Sequence, residues 1–332
     1  MNYSRALHAL FRLVALTLLF LLACCSHTYT IVTYNVENLF DDVDDGAEYD
    51  RYRSAAGWGT EQFHAKCVTC AEVIKGIGRG GPDVVVLQEV ENDHVVEVLC
   101  ERFLAATGYD QRIVTEVPGS PINAAVISKH PIREVRCHAA ADISGGWSSR
   151  HILEAALDLD GQELRLLVAH FKSKRGGVAE TERSRYREAK MTARLVEARL
   201  HACPSADLIV AGDLNESHDE SGRTAGRYAA ALEARGDCIA LAGHDRALFS
   251  PWFRWRGEGC VPEGSYVWEG EWLTHDHFLL SPGLLEGTGL RYRTGSFRVH
   301  APRSLLGPDG LPLRRYSDHL PLVVQFEVLG SG

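Results

Sequence analysis

Leu208-Ile209-Val210-Ala211-Gly212-Asp213-Leu214-Asn215 runs from four apolar residues through a glycine into an acid and then an amide. A short apolar run that stops at Gly and Asp has the length and punctuation of a buried strand with polar side chains presented at its end. Runs of the same kind are read at Ile31–Tyr34, Val84–Leu87, Ala124–Ser128, Ile152–Leu159, Leu164–His170, Leu208–Ala211, His277–Ser281 and Leu322–Val328. At or beside their ends stand residues able to hold a hard cation or move a proton: Asn35, Glu89, His170, Asp213 with Asn215, Asp276, and Asp318 with His319. Strand ends are where packed sheets open, so residues distant in sequence can converge there on one pocket. Taken singly, each has an ordinary structural role to hand, an Asp as a helix cap or an Asn in a turn. Their ordered recurrence is what points to a site.

Apolar residues three and four apart mark helices over Cys67–Ile77, His94–Ala106, Glu180–His201 and Gly226–Arg235. From Ala240 to Tyr292 the pattern turns to short aromatic and glycine-rich segments, which read as β-meander and loops. No repeat or low-complexity linker divides the chain, so one globular domain is expected. Strands and helices in this order predict two sheets packed face to face with helices outside. Asp41-Asp42-Val43-Asp44-Asp45 opens a run without apolar period that lasts to about Gly59. Its acids invite a calcium-loop reading, but the ligand spacing is incomplete and no glutamate stands at the twelfth position, so a solvated surface loop is expected. Cys67 and Cys70 have the spacing of a metal or redox pair. With no second such pair and a helical pattern around them, helix-face cysteines are expected, with a disulfide as the alternative.

With 332 residues, 45% of them hydrophobic, the chain has material for a substantial core. A formal charge of -9 excludes a protein whose whole surface coats nucleic acid, and leaves room for a local basic groove. Arg5 and Arg12 precede an apolar run from Leu13 to Ala23 that is too short to span a bilayer, the pattern of an export signal. It closes in Leu21-Leu22-Ala23-Cys24, which resembles the lipobox of bacterial lipoproteins. On that resemblance residues 1–24 form a lipoprotein signal peptide with the lipid on Cys24, and the protein is exported and anchored to a membrane of the cell envelope. A plain secretory signal and an uncleaved anchor are the alternatives.

Thr33-Tyr34-Asn35-Val36-Glu37-Asn38-Leu39-Phe40 and Pro82-Asp83-Val84-Val85-Val86-Leu87-Gln88-Glu89-Val90-Glu91-Asn92 resemble the opening motifs of the endonuclease/exonuclease/phosphatase superfamily, deoxyribonuclease I-like proteins. Asn123-Ala124-Ala125-Val126-Ile127-Ser128-Lys129, His170-Phe171-Lys172-Ser173, Gly212-Asp213-Leu214-Asn215, Thr274-His275-Asp276-His277-Phe278-Leu279-Leu280-Ser281 and Ser317-Asp318-His319-Leu320-Pro321 resemble the remaining motifs, in order. The resemblance covers residues 30–328. Bacterial exported members are especially similar, since they too carry an acidic insertion after the first motif. It implies a four-layer α/β/β/α sandwich of two packed mixed β-sheets with outer helices.

It also implies a metal-dependent phosphodiester hydrolase. Magnesium or manganese prefers oxygen ligands and bridges to substrate phosphate, which suits Glu89 and Asp318 with the side-chain carbonyl of Asn35; zinc would want more His and Cys. By resemblance His319 is the base and Asp276 orients its ring. Asp213 positions the attacking water or protonates the leaving group, and Asn215 donates to a non-bridging oxygen. His170 contacts the scissile phosphate or serves as general acid, and the glutamate that orients such a histidine in deoxyribonuclease I-like proteins has no counterpart in Ile122-Asn123-Ala124. Arg150 matches an arginine directed toward phosphate, with a surface salt bridge as the alternative.

Residues 165–200 and 288–319 are rich in Lys and Arg beside the two histidines, which favours a nucleic-acid substrate ahead of a phospholipid and an endonuclease-type nuclease acting as a monomer. A sphingomyelinase-like or small-molecule phosphoesterase is the second reading, favoured by the lipid tether and by Trp252, Trp255, Trp268 and Trp272 if these form an exposed surface. A non-catalytic surface-binding lipoprotein is the third.

Overall fold

A computed structural model describes residues 27–141, 147–224, 229–255, 262–287 and 289–328. Cys24 and the signal segment, and with them the lipidation reading, lie outside these residues. One sheet holds, in spatial order, Leu290–Tyr292 (β15), Leu322–Val328 (β17), Thr28–Leu39 (β1), Val84–Val90 (β2), Asn123–Ser128 (β4) and Gln111–Val114 (β3), with Arg298–Val299 (β16) also paired to β17. The other runs Ile132–Ala141 (β5), Trp147–Leu159 (β6), Gln162–Val168 (β7), Leu208–Asp213 (β8), Asp276–Leu280 (β14), Ala247–Phe249 (β11), Cys238–Leu241 (β10) and Leu232–Arg235 (β9). Tyr266–Trp268 (β12) and Glu271–Leu273 (β13) form a separate hairpin. The β1–β2 and β7–β8 pairs are parallel and the other pairs antiparallel, so both large sheets are mixed.

Alternation along the strands assigns the layers. Ile209 and Ala211 of β8, Leu166 and Val168 of β7, and Phe278 and Leu280 of β14 join the core shared with Ile31 and Val85 of the first sheet. Leu208, Val210, Leu167 and Leu279 face the other way, into a second cluster. A strand buried on both faces carries apolar residues at every position, which is why these segments read as unbroken runs. Helix α1 (Thr60–Lys75) packs Phe63, Cys67, Cys70, Ala71 and Ile74 against the first sheet. Helix α2 (Asp93–Val98) is capped by Asn92, whose Oδ1 accepts from Val95 N at 3.0 Å, and continues into a π turn. Helix α3 (Val178–Ala202) packs Ala189, Ala193, Val196 and Leu200 against the second sheet. The expected four-layer sandwich is the observed one.

The helix expected over Gly226–Arg235 is overturned, since Leu232–Arg235 is strand β9, paired with β10 across a turn at Gly236, φ 63°. Its alanines favour helix locally, but Ala231 N and Leu232 N both donate to Glu216 Oε2 and hold the entry extended, so tertiary contacts override propensity. The acidic loop is not simply solvated. It winds through two 3-10 turns, Asp41 and Glu48 are buried, and Trp58 Nε1 donates to Asp41 O at 2.6 Å. Cys67 and Cys70 are free thiols buried on the helix face, and burial pushes both thiols up, away from the thiolate that metal or redox chemistry needs.

Candidate active site

β1 and β2 pair in register up to Asn35 opposite Gln88, and then both slip: β1 between Asn35 and Leu39, β2 between Gln88 and Val90 on its other edge. Glu37, Asn38 and Glu89 adopt φ of 52°, 62° and 64°. Left-handed backbone at such residues costs on the order of 1–3 kcal/mol each and survives where the surroundings enforce it. Here it breaks the strand alternation and brings Asn35, Glu37 and Glu89 to one mouth. Asn35 Nδ2 donates to Glu89 Oε1 at 3.2 Å and to Asp213 Oδ2 at 3.0 Å, while its Oδ1 accepts from Glu37 N at 3.0 Å. Beside them Arg314 Nη1 lies 2.6 Å from Glu37 Oε1 and 2.8 Å from Asp318 Oδ2. Burial and then Asp318 raise the Glu37 carboxyl above its usual range, against the pull of Arg314.

Across the mouth β8 passes through Gly212 one residue before its end, where an added Cβ would stand 1.9 Å from Ala169 O, so glycine alone permits this approach. Asp213 then sits opposite Asp276 in the β8–β14 ladder. His319 Nδ1 is 2.7 Å from Asp276 Oδ2, which also accepts from Ser265 Oγ at 2.6 Å. Ser317 Oγ accepts from His319 N and donates to Asn35 O at 2.7 Å, tying the two sides together. Tyr266 stacks on the imidazole at 4.5 Å, and the remaining nitrogen, Nε2, faces Asp213 Oδ2 at 3.8 Å. Burial alone would lower the His319 pKa, but the charge and hydrogen bond of Asp276 more than reverse this and hold it well above the ordinary range. Burial, with Asp276 adding and His319 opposing, pushes the Asp213 carboxyl up to about 7. Asp213, Asp276 and His319 are compact enough to grip an ion. Because the Nδ1–Oδ2 bond engages two of their donor atoms with each other, the geometry is better described as a proton relay.

The third component is His170, buried, with Arg150 Nη1 at 2.8 Å from its Nδ1. A guanidinium can only donate, so Nδ1 accepts and the ring proton resides on Nε2. That nitrogen is 3.7 Å from Asp213 Oδ2 and 3.9 Å from Glu89 Oε1. Burial, then Arg150, hold His170 well below its usual pKa, so it is neutral. Arg150 thus takes the place of an orienting glutamate, while Asn123 donates to Glu91 O at 2.6 Å. Asn215, φ 52°, gives its backbone N–H to Asp213 Oδ1 and its Nδ2 to Phe171 O at 3.0 Å.

All the site residues read from the sequence within the described chain therefore meet at one mouth. Sequence reasoning missed Glu37, Ser265, Tyr266, Arg314 and Ser317. Glu37 and Ser317 lay inside the quoted motifs without a role, whereas Tyr266 arrives through a bridge to His319 that only the fold creates. Part of the basic segment 165–200 is engaged within the fold, with Arg165 on Glu134, Lys174 on Glu220, Arg185 on Glu216 and Arg199 on Glu154.

A sandwich of two mixed sheets that gathers carboxylates and imidazoles at its strand ends is the hydrolase fold found among phosphoesterases. The chain belongs to the endonuclease/exonuclease/phosphatase family, whose sequence profile matches residues 30–327. Among solved structures it is similar to ANGEL2, a 2',3'-cyclic phosphatase (TM-score 0.63, 16% identity, 92% of this chain and 96% of that one). It is also similar to truncated TDP2 from Caenorhabditis elegans (TM-score 0.55, 14% identity, 91% and 98%) and to a family protein from Bacteroides thetaiotaomicron (TM-score 0.53, 15% identity, 91% and 98%). At such identities the likeness shows the fold. No protein in a comparison with curated proteins matches the sequence.

Proposed function

We propose that the protein is a magnesium- or manganese-dependent phosphodiester hydrolase that cleaves nucleic acid as an endonuclease. The observation that carries this reading is the meeting of a proton relay, Asp276–His319–Asp213, with a hydrogen-bond donor group, Arg150–His170, across from Glu89. The donor set fits a hard ion: Glu89 and Asp318 offer carboxylate oxygens, and Asn35 Oδ1 keeps a lone pair beyond the one given to Glu37 N. When bound, such an ion polarises the phosphoryl oxygen and stabilises charge on the leaving oxygen.

The chain's own residues supply the rest. His319, its basicity raised by Asp276, takes the proton of the attacking water; Asp213, titrating near neutrality 3.8 Å away, positions that water and shares the relay's proton. His170 donates from Nε2 to a phosphate oxygen, a role its neutral form suits better than proton delivery, and Arg150 fixes that tautomer while adding positive charge. The second N–H of Asn215 Nδ2 is available to a non-bridging oxygen.

Two observations support nucleic acid ahead of phospholipid. Lys172 and Arg175 add to Arg150 at the rim, and burial followed by the Arg150 charge lowers the Lys172 amine, so positive charge is concentrated there. Of the four tryptophans between residues 249 and 272, Trp252 is buried, Trp255 and Trp272 pack partly against the core, and Trp268 alone is exposed, at 52%, on a hairpin with Glu269 in its turn and Glu271 opposite it. A lone tryptophan between acids is a poor membrane-dipping surface. The test is purified protein lacking residues 1–24, assayed with magnesium against plasmid DNA, RNA, sphingomyelin, phosphoinositides and a 2',3'-cyclic phosphate, beside His319→Ala. Cleavage of DNA or RNA by the wild type alone is expected; exclusive cleavage of a lipid would replace the nuclease reading.

The lipobox-like Leu21-Leu22-Ala23-Cys24 supports export and a lipid anchor on Cys24. Among the described residues no helix is long and apolar enough to cross a membrane. Radioactive palmitate is expected to label the wild type and not Cys24→Ser; equal labelling would end the anchor reading.

A further inference from the structure

Past Glu89 the chain reaches Glu91, whose side chain meets the acidic loop that follows β1. One carboxylate oxygen from each of Asp45, Glu48 and Glu91 lies within 4.8 Å of the others. Glu48 and Glu91 are each 4% exposed, and Asp45 is open to solvent. Like charges this close and this far out of water repel strongly, and the countercharge is slight: Arg53 Nε approaches Glu48 Oε2 only to 3.8 Å.

A second observation concerns the individual atoms. Glu48 accepts from the backbone N–H groups of Asp45 and Gly46, and Glu91 Oε2 accepts from Asp41 N at 2.8 Å. Glu91 Oε1, by contrast, is buried with no hydrogen-bond partner. Buried polar atoms are satisfied by a partner almost without exception, and for a carboxylate oxygen ringed by carboxylates the fitting partner is a cation.

We propose that Asp45, Glu48 and Glu91 form a structural site for a hard divalent cation, calcium by preference, separate from the catalytic carboxylates. The donors are oxygens only, which disfavours zinc, and an irregular set with one solvent-facing side suits calcium, which accepts six to eight oxygens, water included. Asp41 braces the site and does not ligate: its Oδ1 accepts from Val43 N and its Oδ2 from Asn92 Nδ2 at 2.9 Å. The loop so pinned follows directly on the end of β1, past Asn35 and Glu37 of the catalytic mouth. Phe40 stacks on Tyr52 at 4.5 Å and meets Tyr49 at 5.7 Å. Burial raises both phenols, and Glu89 acts on each, with Arg150 also acting on Tyr49 and Glu37 on Tyr52. The cation would therefore hold the loop that follows β1 without touching the reacting atoms, and the site does not depend on the phosphoesterase reading.

The test is equilibrium dialysis of the mature protein with radioactive calcium over excess magnesium, paired with thermal melting. One calcium per chain is expected in the wild type and in Glu89→Gln, with calcium raising the melting temperature of both. Glu48→Gln should bind none and show no calcium shift. Asp45→Asn, a change on the exposed side that does not depend on how the core tolerates Glu48→Gln, should weaken binding by about tenfold or more. Absence of binding at several millimolar calcium, wild-type binding by Asp45→Asn, or loss of binding in Glu89→Gln would each overturn the proposal.

Discussion

On the β8–β14 side of the mouth, Asp213, Asp276 and His319 are each 6% exposed or less; Asn35 and Ser265 donate hydrogen bonds to the two carboxylates, and His319 N donates to Ser317 Oγ. On the β1–β2 side the side chains of Glu37, Glu89 and Asp318 are 18%, 19% and 20% exposed, and Glu37 and Asp318 share one guanidinium, Arg314, that is itself 69% exposed. The first side is assembled by folding alone, with the one imidazole of His319 between two carboxylates in a dry setting where orientation is held tightly. The second gathers excess negative charge at the water's edge, paired with the exposed guanidinium of Arg314. On the proposed function, a relay must keep its geometry through every turnover whereas a metal and substrate site must release what it binds, and the two sides differ in that sense.

The sharpest way to break this contrast is Glu89→Gln. Turnover on a nucleic-acid substrate is expected to fall by about a thousandfold or more with the circular dichroism spectrum unchanged. A loss under tenfold would show that the open side is not where the ion acts. Asp276→Asn should lower kcat by roughly a hundredfold to ten-thousandfold with little change in KM. Because Asp276 is what raises the His319 pKa, the acid limb of the pH–rate profile should move to lower pH; an unmoved limb would assign the base elsewhere.

A stability measurement sharpens the dry side. His277, under the relay, is pushed down by burial to about 4 and holds Glu216 O at 2.8 Å. A depressed histidine contributes stability that is present above its unfolded pKa and lost as pH falls through the folded one, so the fold should weaken between about pH 6.5 and 4. His277→Gln should remove about 2 kcal/mol of that acid loss in denaturant titrations at pH 7 and 4.5. His319 has the opposite sign, giving up its contribution as pH rises through its raised pKa. The smallest effect is expected for Arg314→Ala: an exposed pair is worth at most about 1 kcal/mol, so removing this competitor should lower the magnesium needed for half-maximal rate only a few-fold. A higher magnesium requirement would mean that Arg314 organises the carboxylates.

The sandwich was legible because its central strands are buried on both faces, leaving runs such as Leu208–Ala211 that no helix of that length would explain. The site was legible where a strand end and a chemically distinctive residue coincide, as at Asp213 and His319. It was illegible where the partner is set by tertiary geometry. Nothing in Trp147–Leu159 says that Arg150 reaches the ring of His170, and nothing near Ala229 says that Glu216 holds that segment extended. The acidic loop misled for a related reason, since its buried members, Asp41 and Glu48, are covered by a tryptophan and by a strand end that sequence spacing does not bring near.

The slips in β1 and β2 have a consequence for how the molecule can change. Pairing between the two strands resumes at Leu39 opposite Val90 beyond the slip, and Glu91 N bonds back to Leu39 O at 3.0 Å. The strained stretch is thus clamped at both ends before the acidic loop departs. A segment hung outside a closed clamp can lengthen, shorten or be exchanged without moving what the clamp holds. The mouth behaves as a fixed frame with interchangeable borders, so descendants of this chain can acquire new substrates by rewriting residues 41–59 while inheriting the hydrolytic chemistry intact.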